Sequence, residues 1–99
     1  MTTAKERMIK AEKMYEMVVS DNEKIKEIIE FLNEMPERMN SLSDYYFNQW
    51  MKDIQELENT DFHNGVMNED SIYEEISKQY EMMKKIILIG AQYINQDFN

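Results

Sequence analysis

The stretch Ser43–Asp70, SDYYFNQWMKDIQELENTDFHNGVMNED, decides how the rest of the chain is interpreted. It contains the only Trp, the only His, one of the two Gly and five of the eleven aromatic residues. The Asn-Gly pair at 64–65 predicts a loop, and Asn68 predicts the N-cap of a helix whose first turn carries Glu69 and Asp70. Outside this stretch, apolar residues recur at helical spacing. The stretch therefore predicts a short aromatic helix and a loop between two longer helices.

The composition is that of a single globular domain covering residues 1–99. The chain is 42% hydrophobic and 31% charged, which is normal for a folded protein. The absence of Cys excludes a disulfide framework and Cys-based zinc sites, and it suits a reducing compartment. The N-terminus lacks the apolar run of a signal peptide, and Ile86–Gln96 is too short and too polar to span a bilayer. We therefore expect a soluble, cytoplasmic protein with no membrane attachment.

The net charge of −9 belongs almost wholly to the middle of the chain. Between Asp44 and Glu75 nine acids face Lys52 alone, a balance of −8, whereas all other residues together carry −1. The nine acids are Asp44, Asp53, Glu56, Glu58, Asp61, Glu69, Asp70, Glu74 and Glu75. Direct binding to nucleic acid is disfavoured, because phosphates require a basic footprint. This charge fits a basic protein partner or a divalent cation instead.

The first segment, residues 3–33, has the periodicity of an amphipathic helix. Its apolar positions follow alternating steps of three and four residues, the pattern of packed helices. These positions, here called the N-terminal seam, are Met8, Ala11, Tyr15, Val18, Asn22, Ile25, Ile29 and Leu32. Asn22 is the polar member. It is either a contact that specifies register, or a local break or water-exposed position beside Ser20 and Asp21.

Pro36 predicts the start of a second helix, because proline suits a first helical turn, where its missing N–H is not needed. With Asn33 closing the first helix, the short connection predicts an antiparallel hairpin. The second helix covers about residues 36–58, and Asn48 is expected to loosen it. The last helix covers about residues 69–95. The fold class is therefore all-α, an antiparallel bundle of three to four helices in which two long helices flank a shorter, aromatic-rich middle.

The last helix is apolar on nearly all sides towards its C-terminal end. Such helices are usually enclosed on more than one side, which in so small a chain predicts a second subunit or a partner. We expect self-association, to a homodimer, through a set of residues here called the C-terminal apolar surface. These are Met83, Ile86, Ile87, Ile89 and Gly90. Gly90 either permits close helix approach or marks a weak point of the helix.

Three sequence blocks occur in order along the chain: ERM and MYEMV within residues 6–18, YY-x3-W-x2-D at 45–53, and GVMNED-x2-Y at 65–73. Over about residues 5–85 the chain resembles a family of small bacterial all-helical proteins known as a domain of unknown function. The signature of that family is a Tyr-Tyr, Trp and Asp block followed by Gly-Val-Leu-Ser-Glu-Asp and a Tyr. Asn68 stands where the family has Ser, an exchange of one N-cap for another. Phe47-Asn48 replaces a glycine-containing turn, so the resemblance leaves open a helix break there, and it implies no activity.

The residues do not predict a catalytic site. Nucleophilic catalysis requires a nucleophile beside a positioned base, and His63, the only His, lies in the predicted loop. Glu69 and Asp70 are adjacent on a helix and therefore point about 100° apart. An EF-hand around Gly65 lacks the required acids. A looser metal cluster would need the loop to fold over the helix and bring together Asp53, Asp61, His63 and Asp70. We expect no enzyme activity, no cofactor and no bound metal.

The aromatic residues of the middle segment are interpreted as core, although aromatic side chains also stack on bases or line ligand pockets. The ten Met likewise fill gaps in a core or form an adaptable binding surface. The Trp50 N–H and a Tyr hydroxyl need acceptors, which Asp53 or the 59–68 loop can supply. We expect Val66 and Met67 to plug the aromatic cluster in a structural clasp that fixes the last helix on the first, with Gly65 permitting a tight turn. The clasp residues are Tyr45, Tyr46, Trp50, Gly65, Val66, Asn68 and Tyr73.

The leading functional hypothesis is a non-enzymatic, self-associating interaction module whose acidic face meets a basic protein partner. The acidic face comprises Asp44, Asp53, Glu56, Asp61, Glu69, Asp70 and Glu74. A second hypothesis is an acidic inhibitor or nucleic-acid mimic, of the size of phage accessory proteins, in the basic groove of a nucleic-acid-binding protein. One continuous acidic face would favour it. A third hypothesis is a domain that binds a divalent metal or a small ligand, which thermal stabilisation by divalent ions would favour.

Overall fold

The first helix begins at a threonine cap. In the computed structural model, which describes residues 3–96, the Oγ1 atom of Thr3 accepts a hydrogen bond from the backbone N–H of Glu6 at 3.1 Å. This bond satisfies one of the N–H groups that a helix leaves unpaired at its start. The helix that follows, α1, spans Ala4–Asn48.

The helix α1 passes through Pro36 without interruption, so the predicted hairpin at Asn33–Pro36 is wrong. Proline lacks the N–H that would bond to the carbonyl of Leu32, and inside a helix it costs about 3 kcal/mol. The residues around it, such as Glu34, Met35, Glu37 and Arg38, are strong helix formers. The predicted helices 3–33 and 36–58 are therefore replaced by one long helix and a short one.

The chain leaves α-helical geometry for one residue, Gln49, before α2 begins. The short helix α2 spans Trp50–Leu57, and Gln49 has φ −129° and ψ −29°. Backbone bonds nevertheless continue across the junction, from Gln49 N to Tyr45 O and from Asp53 N to Gln49 O. The side chain of Asn48 donates to the carbonyl of Asp44 at 2.9 Å. Such a bond competes with the backbone ladder and weakens the helix, so the loosening expected at Asn48 lies one residue further on.

A loop and a short 3-10 turn lead to the last helix. The 3-10 turn spans Gly65–Met67, and α3 spans Glu69–Ile94. The side chain of Asn68 caps α3 by accepting a bond from Asp70 N at 2.9 Å. Within residues 3–96 every regular element is helical. The all-α class and the predicted last helix are confirmed, while the antiparallel bundle stays a prediction.

The chain divides into two units, Met1–Arg38 and Met39–Asn99. In the first unit, Leu32 and Met35 are half-buried and every other described residue is exposed. The second unit has a small core, in which Trp50 is 6% and Ile72 is 2% exposed. The expectation of a single domain stays a prediction. Among the residues that the structure describes, no helix is long and apolar enough to cross a membrane.

Candidate functional site

The side chains of Tyr45, Gln49 and Asp53 form a hydrogen-bonded cluster across the junction of α1 and α2. The Tyr45 hydroxyl donates to Asp53 Oδ2 at 2.8 Å, and Gln49 Nε2 donates to Asp53 Oδ1 at 3.1 Å. Residues four apart lie on the same side of a helix, and these three follow that spacing. Both carboxylate oxygens of Asp53 are therefore engaged within the chain rather than offered to a partner.

These two hydrogen bonds shift the two pKa values in opposite directions. The bond from Gln49, followed by the bond from Tyr45, lowers the pKa of Asp53 because both stabilise the carboxylate. The bond to Asp53 raises the pKa of Tyr45, and partial burial and the negative charge of Asp53 add to this effect. The pKa of each group thus lies further from 7 than its ordinary value does. The cluster braces the helix junction and is not tuned for proton transfer near pH 7.

Trp50 joins the aromatic part of the middle segment to the loop before α3. Its Nε1–H donates to the carbonyl oxygen of Val66 at 2.8 Å. Its ring lies 5.5 Å from the ring of Tyr46, which in turn meets Phe47 edge-on at 5.1 Å. Such tilted and edge-on pairs are favourable for aromatic rings. Trp50 is buried, Tyr46 is half-buried and Phe47 is exposed, so the cluster is core on one side only.

Two asparagine side chains shape the segment that carries the Trp50 acceptor. Asn64 Oδ1 accepts from Val66 N at 3.1 Å, and Asn68 Oδ1 accepts from Asp70 N at 2.9 Å. Each bond closes a local turn of the kind that asparagine favours. Gly65 does not have a positive φ, and a Cβ atom added to it would meet open space. The predicted turn at Gly65 is present, but it does not use the conformational freedom of glycine, because the asparagine side chains provide it.

A groove of about 630 Å³ lies between α2, the loop and the start of α3. Its floor includes the half-buried side chains of Ile54, Leu57 and Met67, and its rim includes Phe62 and His63. Both rim side chains are exposed. The groove has the volume of a small-ligand site, but most such sites bury the ligand more deeply between apolar walls.

The acidic side chains of the middle segment are largely open to solvent. Of its nine acids only Asp53 is half-buried, and the other eight are exposed. Glu75 forms an ion pair with Lys78 at 3.0 Å. Among residues 3–96, no three side chains of the metal-binding types come close enough to hold an ion, so Asp53, Asp61, His63 and Asp70 do not assemble as a cluster.

The C-terminal apolar surface lies on the second half of α3. Met83 is half-buried, whereas Ile86, Ile87, Ile89 and Gly90 are exposed. Ile87 and Ile89 are 68% and 65% exposed. The backbone around Gly90 is open, and a Cβ atom added there would meet nothing within 4 Å. These side chains keep their apolar area accessible in the described chain.

Gln49 is the residue of this region that the sequence analysis missed. It sits where α-helical geometry is interrupted, and its amide completes the pairing of Asp53. The spacing of four residues from Tyr45 to Gln49 and from Gln49 to Asp53 is the signal that identifies it. Asp53 and the loop were the expected acceptors for the Trp50 N–H and a Tyr hydroxyl. In the structure the Tyr45 hydroxyl donates to Asp53 and the Trp50 N–H donates to Val66 in the loop.

The protein is thus all-helical over the described residues. It has a hydrogen-bonded junction between α1 and α2, a capped α3 and an acidic surface on its middle segment. Residues 8–89 match a family described as a domain of unknown function, DUF4298. No curated protein and no solved structure matches the chain. The chain belongs to the DUF4298 family, which confirms the family resemblance.

Proposed function

We propose that this protein is a non-enzymatic helical interaction module that self-associates through the C-terminal apolar surface and offers its acidic face to a basic protein partner. The exposed apolar side chains on the second half of α3 carry the first part of this proposal. Contiguous exposed apolar area of this kind marks protein interfaces. Since the chain lacks Cys, a reducing compartment such as the cytoplasm suits it.

The packing of α3 supports self-association through its second half. From Ile72 to Met83 the helix has buried or half-buried positions at helical spacing, whereas every described residue after Met83 is exposed. The exposed half nevertheless contains the sequence IILIG at 86–90, which is as apolar as a protein core. Burying such side chains contributes about 25 cal/mol per Å² of apolar area. A second copy of the same surface supplies a matching apolar face.

Sedimentation at tens of micromolar tests this proposal. We expect wild type to be dimeric and Ile87→Glu to dimerise more weakly, because the substitution places a charge in the apolar contact. Gln92→Glu is the matched control, since it adds the same charge to an exposed position on the same helix. A monomeric wild type, or a dimer whose affinity Ile87→Glu leaves unchanged, contradicts the proposal.

The acidic part of the proposal is supported by the eight exposed acids of the middle segment, whereas Asp53 drops out of the acidic face because both of its carboxylate oxygens are engaged within the chain. A suitable variant replaces Glu56, Glu69 and Glu74 with Gln and leaves Asp53 in place. We expect a partner captured from the native host by wild type to elute as salt rises and to be absent with the variant, because screening weakens exposed charge pairs. Equal capture by both proteins contradicts an acidic interface.

An acidic inhibitor or nucleic-acid mimic is the second candidate, favoured by the same eight exposed acids. A mimic occupies the nucleic-acid groove of its partner, so duplex DNA or RNA should displace it. An ordinary acidic interface elsewhere on the partner should survive this competition. Competition at constant ionic strength separates the two candidates, because salt alone weakens both.

A further inference from the structure

The N-terminal seam lies on an unbroken helix. Ser20, Asp21 and Asn22 are all inside α1, so the reading of Asn22 as a local break is wrong. Nearly all of the seam is exposed; Tyr15 is 67% and Ile29 is 54% exposed. The three/four spacing extends from Met8 to Leu32, more than three heptads, which is enough to define a coiled coil. The seam therefore needs a partner helix.

From these residues we propose that α1 pairs with α1 of a second copy of this chain as a parallel, in-register, two-stranded coiled coil. This contact is separate from the C-terminal apolar surface and does not rest on it. In heptad terms, Met8, Tyr15, Asn22 and Ile29 take position a, and Ala11, Val18, Ile25 and Leu32 take position d.

Asn22 favours this orientation and this register. In a parallel coiled coil, position a faces position a of the partner helix, so Asn22 meets Asn22 and the two amides bond to each other. In an antiparallel pair, position a faces position d, which places Asn22 against an apolar residue such as Ile25. A buried amide without a partner is unfavourable, and a single Asn at position a is known to set register.

The charges beside the seam favour the same arrangement. In parallel coiled coils, position g of one helix lies near position e of the next heptad on the other, five residues further along. Asp21 then meets Lys26, and Arg7 meets Glu12. The pair in between is apolar, Met14 with Val19, and the fourth pair, Ile28 with Asn33, has no charge. No like charges meet.

Antiparallel pairing loses these attractions. There position g faces g and position e faces e, so with Asn22 opposite Ile25, Asp21 meets Ile28 and Lys26 meets Val19. The attractions of Asp21 with Lys26 and of Arg7 with Glu12 are thus present only in the parallel, in-register arrangement. Within one helix Asp21 and Lys26 are five residues apart and do not face each other, so their complementarity requires two chains.

Disulfide trapping of the full chain tests the geometry directly, because the protein has no Cys of its own. Two single-cysteine variants, Ala11→Cys and Leu32→Cys, sit at opposite ends of the seam. In the proposed coil each position faces itself, within reach of the separation of about 4.4–6.8 Å between Cα atoms that a disulfide requires. In a thiol redox buffer we expect each variant to form covalent dimers about tenfold more than Lys13→Cys, a control at position f, because the coil raises the effective thiol concentration.

The other outcomes overturn the proposal. Covalent dimers that form when Leu32→Cys is mixed with a third variant, Tyr15→Cys at position a, and from neither variant alone, indicate antiparallel pairing with Asn22 opposite Ile25. Absence of dimers above the Lys13→Cys level indicates that something else covers the seam, such as another segment of the same chain. Repeating the trapping with Ile87→Glu added separates the α1 contact from the C-terminal apolar surface. We expect the α1 cross-links to persist, because Ile87→Glu weakens only the contact through α3.

A charge exchange provides a second test that does not depend on cysteine. Asp21→Lys places like charges opposite each other twice per dimer, and we expect dimer affinity to fall about tenfold at low salt. Asp21→Lys with Lys26→Asp should restore it. The control Glu23→Lys makes the same charge change at position b, outside the interface, and should leave affinity unchanged. Failure of the double variant to recover contradicts the parallel register.

Discussion

Trp50 is the single residue on which the second unit depends most. It is one of two buried residues among those that the structure describes there, and its N–H bonds to Val66 across sixteen positions of sequence. We expect Trp50→Phe to lower the free energy of unfolding by about 2 kcal/mol, because the hydrogen bond is lost and a carbonyl loses its partner. Circular dichroism is the measurement, since the variant lacks the only Trp.

Tyr46→Phe is the matched control for Trp50. Tyr46 touches the same ring, and within residues 3–96 its hydroxyl makes no hydrogen bond. Its removal should change stability by less than about 0.5 kcal/mol. Equal losses in the two variants would mean that aromatic packing, and not the bond to Val66, determines the effect of Trp50.

The Tyr45–Asp53 pair predicts a loss of stability at both ends of the pH scale. The pKa of Asp53 is lowered on folding, so its contribution is complete above the unfolded carboxyl pKa and is lost as pH falls through the folded value. The pKa of Tyr45 is raised, so its contribution is complete below the ordinary tyrosine pKa of about 10 and is lost as pH rises through the folded value.

Tyr45→Phe isolates these effects. Denaturant unfolding at a series of pH values should show a smaller alkaline loss in this variant, and the ion pairs of Lys78 and Lys84 should account for a remaining part. Part of the acidic loss should remain, since Gln49 still bonds to Asp53. An alkaline profile identical to that of wild type would contradict the assignment to Tyr45.

At the scale of elements, Pro36 is the main strain within α1. It removes one bond from an otherwise continuous helix. We expect Pro36→Ala to raise the free energy of unfolding by up to about 3 kcal/mol, measured by denaturant unfolding. Pro36→Gly is the control. It should raise the free energy of unfolding by about 1 kcal/mol less than Pro36→Ala does, because glycine is a poor helix former. If Pro36 instead began a second helix, alanine would bring no gain.

The start of α3 depends on a side-chain cap. Asn68 satisfies the N–H of Asp70, so Asn68→Ala should cost about 1 kcal/mol in thermal or denaturant unfolding. Asn68→Ser should retain most of the stability, because serine caps by the same bond. Equal losses in both variants would show that the cap does not matter.

The contrast between these two elements explains how far the sequence predicts the fold. The beginning of α3 is encoded locally, in an asparagine cap followed by Glu69 and Asp70, and the start predicted at about Glu69 is confirmed. The continuity of α1 is not local, since the same Pro36 starts a helix in one context and is tolerated inside one in another. Strong helix formers on both sides of Pro36 outweigh its lost bond.

The candidate site shows the same division. The need of the Trp50 and Tyr45 donors for acceptors follows from their chemistry, so Asp53 and the loop were predictable partners. The groove beside Phe62 and the solvent exposure of His63 depend on how the loop folds, which composition and spacing do not specify. The sequence likewise does not specify that the Asn64 side chain, and not the freedom of Gly65, provides the turn.

At the scale of the whole molecule, the proposed contacts along α1 and α3 link folding to association. A folded dimer in equilibrium with unfolded monomers is stabilised by mass action, so its melting temperature rises with protein concentration. A tenfold increase in concentration is worth about 1.4 kcal/mol per dimer. For a domain of this size, half of that per chain corresponds to about 3–5 °C.

Calorimetry at two concentrations tenfold apart measures this dependence. Loss of one contact should reduce the shift and loss of both should abolish it, so Ile87→Glu, Asp21→Lys and their combination form a graded series. Gln92→Glu and Glu23→Lys are the charge-matched controls and should keep the wild-type shift. A melting temperature of wild type that does not change with concentration would mean that the chain folds as a monomer. Its apolar faces would then have to be buried by the chain itself, since leaving apolar surface in water costs free energy in proportion to its area.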